Sequence, residues 1–509
     1  MFVQLTSMFS TIGYILTSPL LIVLLFGSTL LGIFFGALPG LTATLGVALL
    51  TTITYGMNLE TALIALFGIY IGAIYGGSYG SILLNIPGTP SAAATALDGY
   101  PMALRGEGGK ALGLTTTASA IGTILGTICI VVFAPLVAAV AMKLASFEFF
   151  LLAFLGIMLS GTLSTPDTVI KGWIAGFLGL WLAIIGRDAL QFYPRFTFGL
   201  NALDSGIDVV PMLIGAFGIP QIISVLSKNR AHDLKIEAVS KVRPELSTIV
   251  RNIPTIVRSS IIGVGIGAVP GLGEDIAAWV SYGAAKNASK HPENFGKGEV
   301  QAVIASETAN NACIGGAIIP LLSLGIPGSP PAAMLLGAFI LHGIQPGPML
   351  SIEQPDFIPK VSAIIFLTTI VMWIIGMFLI KIVVKIIKIS PALFMPIVAM
   401  LCFIGAYALG LKVFNLYLMV PIGIICYFLG EMDYPIAPLV IGVILGPMVD
   451  QNLRRGLMVS QGSLAPMFTR PVSLILVIIC IMLFVSQSAL YKNTMKKINT
   501  TISKKLKRK

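Results

Sequence analysis

The amino-acid sequence predicts an all-α polytopic membrane protein of about 10–14 membrane segments, arranged as two inverted repeats with re-entrant or broken helices. Three observations carry that prediction. Charge is scarce and leaves long apolar runs, the basic residues gather between and after those runs, and a set of Gly-Pro landmarks occurs twice.

Of 509 residues, 56% are hydrophobic and only 10% are charged, against about 25% charged in soluble globular chains. A water-exposed surface cannot be built from that. The first charged residue is Glu60, and charge-free stretches run through 61–97, 111–142, 149–166, 209–227, 308–341, 361–380, 389–411, 413–430 and 471–491. Most can hold a helix of about 20 residues, enough to cross a bilayer, and the longest leave room for a re-entrant piece besides. A membrane β-barrel shows weak alternating segments of about 10 residues. The continuous runs here must therefore be helices that satisfy their own backbone hydrogen bonds. No cleavable leader is expected, because the first apolar segment lacks a preceding basic region and runs past a short apolar core.

Cys129, Cys313, Cys402, Cys426 and Cys480 lie singly in apolar segments and read as small buried hydrophobes. His232, His291 and His342 sit in separate polar segments, so no metal site is expected. The formal net charge of +11 is explained by orientation in a membrane rather than by nucleic-acid binding. Neither Gly108-Gly109-Lys110 nor Phe295-Gly296-Lys297-Gly298 completes a phosphate-cradling GxxxxGK[ST] loop.

Lys228 to Arg258 carries seven Lys/Arg against three acids, Lys381, Lys385 and Lys388 form a second basic cluster, and Lys492 to Lys509 holds eight more. The positive-inside rule places all three on the cytoplasmic side. Spans at 361–380, 392–410, 413–430, 434–448 and 472–491 return the C-terminus to the cytoplasm. Spans at 209–226, 172–186, 148–165 and 111–142 put the Arg105 to Lys110 loop on the same side. The expected organisation is a first repeat half at 1–227, a cytoplasmic basic linker at 228–258, a second repeat core at 259–389, C-terminal membrane helices at 390–491 and a basic cytoplasmic tail at 492–509.

The landmarks recur in order. Gly36-Ala37-Leu38-Pro39-Gly40-Leu41 returns in the second half of the chain as Gly267-Ala268-Val269-Pro270-Gly271-Leu272. Ile86-Pro87-Gly88-Thr89-Pro90 returns at nearly the same offset as Ile326-Pro327-Gly328-Ser329-Pro330. Thr51 to Leu59 has no Lys or Arg while Lys286 to Gly298 has three lysines, and the next pair of loops, 103–110 and 343–359, reverses the bias. The halves are therefore expected to be inverted in the membrane. Inverted halves with paired Gly/Pro-broken segments are the pattern of secondary transporters, which hold substrate and ion where the breaks meet.

Proline removes a backbone donor and glycine accepts unusual dihedrals, so each break frees amides and carbonyls. In hydrocarbon those groups survive where they line a cavity or bind a ligand. No Lys or Arg lies within the apolar cores of these segments. An anionic substrate would therefore be held by half-helix N-termini, amides and hydroxyls. The candidate substrate-binding residues are Pro39, Gly40, Thr42 and Thr44, then Asn85, Pro87, Gly88, Thr89 and Pro90, then Pro270, Gly271 and Gly273, then Pro327, Gly328, Ser329 and Pro330. Ser91 is a further hydroxyl beside the second break. Acids in such segments are functional by default, which makes Glu274, Asp275 and Glu307, with Asn310 and Asn311, the candidates for a coupling cation or proton. For Glu274 and Asp275 the alternative is helix capping, and for Glu307 with its asparagines an interhelical hydrogen-bond network.

Gly36 to Thr42, Tyr75-Gly-Gly-Ser-Tyr-Gly-Ser-Ile-Leu-Leu-Asn-Ile-Pro-Gly-Thr-Pro90, Asp98-Gly-Tyr-Pro-Met102, Gly267 to Gly273, Glu307 to Asn311 and Gly325 to Pro330 resemble the large membrane subunit of the tripartite tricarboxylate transporters, the TctA family. The resemblance runs from about residue 18 to about residue 490. It implies a bacterial inner-membrane permease with a cytoplasmic C-terminus, working with a small four-span membrane subunit and a periplasmic solute-binding protein. It also implies uptake of carboxylates such as citrate driven by an ion gradient, with Na⁺ or H⁺ as coupling cation and no other cofactor, and an elevator-like arrangement with paired re-entrant hairpins. The rival readings are a stand-alone carrier or exporter of organic anions, an ion channel with a Gly-rich filter and, least favoured, a membrane enzyme.

Overall fold

The computed structural model describes residues 2–164, 168–227, 242–243, 245–378, 380, 383, 393–408 and 410–487. Residues 228–241 and 244 of the expected 228–258 linker, the lysines at 381, 385 and 388, and the basic tail lie outside the described residues. Among the described residues the chain is almost wholly helical. Eight helices are long and apolar enough to cross a membrane and six more are apolar but shorter, at 10–17 residues.

The N-terminal part begins with α1 (Phe2–Thr17), α2 (Pro19–Ala37) and the short α3 (Ala43–Ile53). There follow α4 (Leu59–Leu84), α5 (Ala93–Met102) and α6 (Gly108–Ala141). The next helices are α7 (Ser146–Ser164), α8 (Val169–Ala183) and α9 (Val209–Ser227). After α10 (Leu246–Arg251) the alternation of long and short helices resumes with α11 (Ile253–Gly267), α12 (Gly273–Ala288), α13 (Val300–Leu324) and α14 (Pro330–Leu341). The short α15 (Leu350–Glu353) and the long α16 (Phe357–Phe378) follow, then helices Met395–Ala408, Val413–Glu431, Ile436–Val459, Ala465–Thr469 and Pro471–Ser486.

The chain divides into two compact units, one of 1–143 with 207–436 and the other of 144–206 with 437–509. In the first, α2 packs on α4 and α11 on α13, while α6 lies against α13 and α16. Small residues allow these approaches, as in membrane helix pairs generally. A Cβ on Gly32 would stand 2.6 Å from the Ile69 carbonyl oxygen, and one on Gly263 would strike the Ala309 carbonyl. Gly36 meets Ala73 in the same way that Gly267 meets Cys313. Gly263 and Gly267 of α11 thus take the places that Gly32 and Gly36 hold in α2, and Ala309 and Cys313 of α13 those of Ile69 and Ala73 in α4. The helix contacts repeat at the spacings of the sequence landmarks.

In the second unit a two-stranded antiparallel ribbon pairs β1 (Gly186–Arg187) with β2 (Pro194–Arg195). Asp188 beside it is fully buried. It accepts the amides of Leu190 and Gln191, each at 2.7 Å, and pairs with Arg454, with Arg195 Nε at 3.5 Å. Arg195 also grips Asp450, at 3.1 and 3.0 Å. Glu148, at the start of α7, is held by Arg470 at 2.8 Å and by the Ser473 hydroxyl at 2.6 Å.

Candidate functional site

Each sequence break is a real interruption. α2 stops at Ala37, Leu38 is extended, Gly40 takes φ +96°, and Thr42 caps α3 by accepting the Leu45 N–H at 3.2 Å. α4 ends on Asn85 in the left-handed region, with the Ile86 N–H returning to the Gly80 carbonyl at 3.2 Å. α13 ends the same way on Gly325, with Ile326 bonded back to Pro320 at 3.2 Å. Closures of this kind end a helix on a left-handed residue, usually glycine. Ser329 then caps α14 by accepting the Ala332 N–H at 3.4 Å.

Within each half the two breaks are pressed together. A Cβ on Gly88 would overlap the Gly36 carbonyl oxygen, and one on Gly328 would overlap that of Gly267. In the second half the amides of Gly271 and Gly273 both donate to the Gly328 carbonyl, at 3.1 and 3.2 Å. Between halves, the turn Pro90–Ala92 and α5 pack against α12 and α13, and α14 packs against α3. The segment after each second break therefore leans on the opposite half.

Two polar centres lie at these crossings. In one, Tyr70 of α4 donates its hydroxyl to Glu274 through a short hydrogen bond and lies 3.0 Å from the Ser329 hydroxyl. Glu274 is 2% exposed and sits in the first turn of α12. There the helix dipole favours a negative group by about 0.3–1 kcal/mol. Burying a carboxylate costs several kcal/mol, so the dipole alone does not offset it.

The second centre surrounds Glu307, which is fully buried. Thr95 of α5 donates to one carboxylate oxygen at 2.6 Å and Ser119 of α6 to the other at 3.0 Å. The Asn311 amide donates to Asn310 Oδ1 at 2.7 Å, and Thr123 stands 3.4 Å from Asn311 Oδ1. Asn310 reaches the other half, donating to the Ser91 carbonyl at 3.2 Å, and the Ser91 hydroxyl lies 3.0 Å from that of Thr89.

The structure thus joins Thr89, Gly88, Gly271, Gly273, Glu274, Glu307, Asn310, Asn311, Gly328 and Ser329 to the break regions or to residues of the opposite half. Pro87, Pro270, Pro327 and Pro330 stand in the breaks beside them. Other candidates stand apart. Asn85 and Pro90 are exposed, Asp275 lies on the exposed side of α12, and Thr44 is buried in the first turn of α3. Gly40 faces α9, where a Cβ on it would stand 2.5 Å from Val225. The sequence reading missed Tyr70, Thr95, Ser119 and Asp98. Tyr70 had a signal, since it takes the same place in the first half that Asn310 takes in the second, but Thr95 and Ser119 are hydroxyls among many in apolar runs.

Asp98 is fully buried. Its carboxylate accepts the amides of Gly296, Gly298 and Glu299 at 2.6–3.0 Å and the Tyr282 hydroxyl at 2.8 Å. An acid one turn beyond Thr95 on α5 thereby pins the loop that leads into α13, the helix that carries Glu307 and that Glu299 caps by accepting the Gln301 N–H. Arg105 adds bonds to the carbonyls of Lys297 and Gly298, at 2.6 and 3.0 Å. Among the described residues no cluster of His, Cys, Asp and Glu could hold a metal ion.

The sequence pattern of the tripartite tricarboxylate transporter TctA family matches residues 21–441. An uncharacterized 52.8 kDa protein in the TAR-I ttuC′ 3′ region of Agrobacterium vitis is 36% identical over 456 residues, covering 90% of this chain and 91% of the relative. An uncharacterized protein in the TAR-II ttuC′ 3′ region of the same organism is 35% identical over 221 residues, covering 43% of this chain and 91% of the relative. No solved structure matches the chain.

Proposed function

The chain belongs to the tripartite tricarboxylate transporter TctA family, and on that premise we propose that it is the large permease subunit of an ion-gradient-driven, binding-protein-dependent uptake system for tricarboxylates or related carboxylates. Its partners on this reading are a small four-span membrane subunit and a periplasmic solute-binding protein. Its place is the bacterial inner membrane, with the C-terminus in the cytoplasm, and its two halves are inverted repeats.

One observation supports the reading above the rest. Four interrupted helices, pressed together two by two, bring the hydroxyls of Thr89 and Ser329 to the polar crossings between the halves. Broken helices at membrane depth persist where they are buried in protein or line a cavity, and half-helix ends suit an anion. Na⁺ or H⁺ moving down its gradient through the acidic centres supplies the work, with Glu274 and with Glu307, Asn310 and Asn311 as the coupling residues.

The test is uptake of radiolabelled citrate by cells expressing the chain with its two partners. Uptake is expected to require the binding protein and to collapse when the Na⁺ and H⁺ gradients are both dissipated. Uptake that persists without the binding protein would make the chain a stand-alone carrier. A reporter active only in the periplasm, fused after Lys509, is expected to be silent.

A further inference from the structure

Five acidic side chains are buried among the described residues: Asp98, Glu148, Asp188, Glu274 and Glu307. Three are anchored by a guanidinium or by several loop amides, with a hydroxyl as well in two of them. Arg470 and the Ala145 amide hold Glu148, beside the Ser473 hydroxyl. Arg454 and two amides hold Asp188. Three amides hold Asp98, beside the Tyr282 hydroxyl. Guanidinium and amide N–H groups have no lone pair to offer a cation, so these three carboxylates are fixed structural anions.

Glu274 and Glu307 are different. No ion pair among the described residues involves either. Side-chain hydroxyls donate to their carboxylates: Tyr70 for Glu274, and Thr95 and Ser119 for Glu307. A hydroxyl both donates and accepts. It can turn its proton to a bare carboxylate in one state and its lone pairs to a cation in another. Hard oxygen donors of this kind, with the amide oxygens of Asn310 and Asn311 beside Glu307, suit a small monovalent cation or a proton.

We propose that Glu274 and Glu307 are two separate sites for positive charge, completed by the hydroxyl of Tyr70 and by those of Thr95 and Ser119, so that one substrate anion travels with two cation equivalents of Na⁺ or H⁺. This deepens the uptake reading and rests on it for the substrate alone. The two loaded sites supply the positive charge that the break segments lack. A buried carboxylate without a fixed counter-charge is costly, which gives each site reason to empty and refill with the substrate's movement.

The experiment counts cations on the purified full-length chain in detergent, without substrate. Binding of ²²Na⁺ at alkaline pH is measured, and protons released on Na⁺ addition at mildly acid pH separate the two cation sources. Wild type is expected to hold two equivalents, Glu274→Gln and Glu307→Gln one each, and the double variant none. Asp98→Asn keeps two in its folded fraction. Gentler variants guard against misfolding: Thr95→Val or Ser119→Ala should weaken the Glu307 equivalent about tenfold and leave the other intact, while Tyr70→Phe does the reverse. A wild type holding fewer than two equivalents, or a count unchanged in both Gln variants, overturns the proposal. Citrate uptake is scored separately. Absent uptake with the expected cation counts would sink the carboxylate reading and leave the two sites standing.

Discussion

Tyr70 on α4 and Asn310 on α13 occupy matching places in the two halves, and each reaches out of its own half to the second break of the other. Tyr70 Oη lies 3.0 Å from Ser329 Oγ, and Asn310 Nδ2 donates to the Ser91 carbonyl at 3.2 Å. Equivalent positions in the repeat therefore do equivalent work with different chemistry, a phenol in one case and an amide in the other.

That pairing predicts matched losses. Tyr70→Phe and Asn310→Ala each remove one bridge between halves while leaving the helix intact. Removing one partner of a buried hydrogen bond costs about 1–3 kcal/mol, so each variant should lose about five- to a hundredfold in citrate uptake at wild-type membrane abundance. Normal uptake in both would separate the bridges from function.

The tight breaks predict that alanine alone is too large. Gly88→Ala and Gly328→Ala each place a methyl inside a backbone carbonyl of the partner break, and overpacking of this kind costs about 1–3 kcal/mol. Both should lower the melting temperature in detergent. Gly265→Ala, with open space around it, should be neutral or slightly stabilising. Gly376 looks by sequence like an ordinary span glycine, yet a Cβ there would meet the Tyr75 hydroxyl and stand 2.7 Å from Thr116. Gly265 is therefore the better control.

The Asp98 latch predicts a stability effect larger than that of a surface acid. Asp98→Ala strands the buried Tyr282 hydroxyl and takes the acceptor from three amides that are half-buried or exposed, so water replaces part of the loss. The expected cost is about 1–3 kcal/mol, read as a lower thermal midpoint. Glu353→Ala, an exposed acid, is the comparison.

Asp188 predicts an acid-sensitive term in the second unit. Burial opposes its charge, but the Arg454 bond, the Gln191 and Leu190 amides and the nearby Arg195 outweigh it and lower the carboxyl from 3.8 to about 2. A group lowered on folding stabilises above its unfolded value and loses that contribution as pH falls through the folded one. Asp188→Asn should therefore be less stable than wild type at neutral pH, and the gap should close from about pH 4 toward about pH 2. A gap constant across that window would place the effect in packing.

Much of the fold was legible because its signals are local. The span expected at 413–430 is the helix Val413–Glu431, and that at 209–226 is Val209–Ser227. The breaks were legible for the same reason, since Pro-Gly interrupts a helix wherever it falls. The substrate-residue list was read from those motifs, and the structure joins it unevenly. Gly328 takes two amides from the third break, while Asn85 is exposed.

By itself the sequence determined the helical class, the order of the spans and the position of each break, because apolar runs and the backbone limits of Pro and Gly act over a few residues. Only the tertiary structure decided which partners each buried acid meets. Asp98 and Glu307 are both acids in motifs beside apolar runs. One meets the amides of a loop 198–201 residues away, and the other meets hydroxyls 188 and 212 residues away. No local pattern encodes those partners, since hydroxyls recur throughout the apolar helices and only the packing of α5, α6 and α13 selects the two that face Glu307.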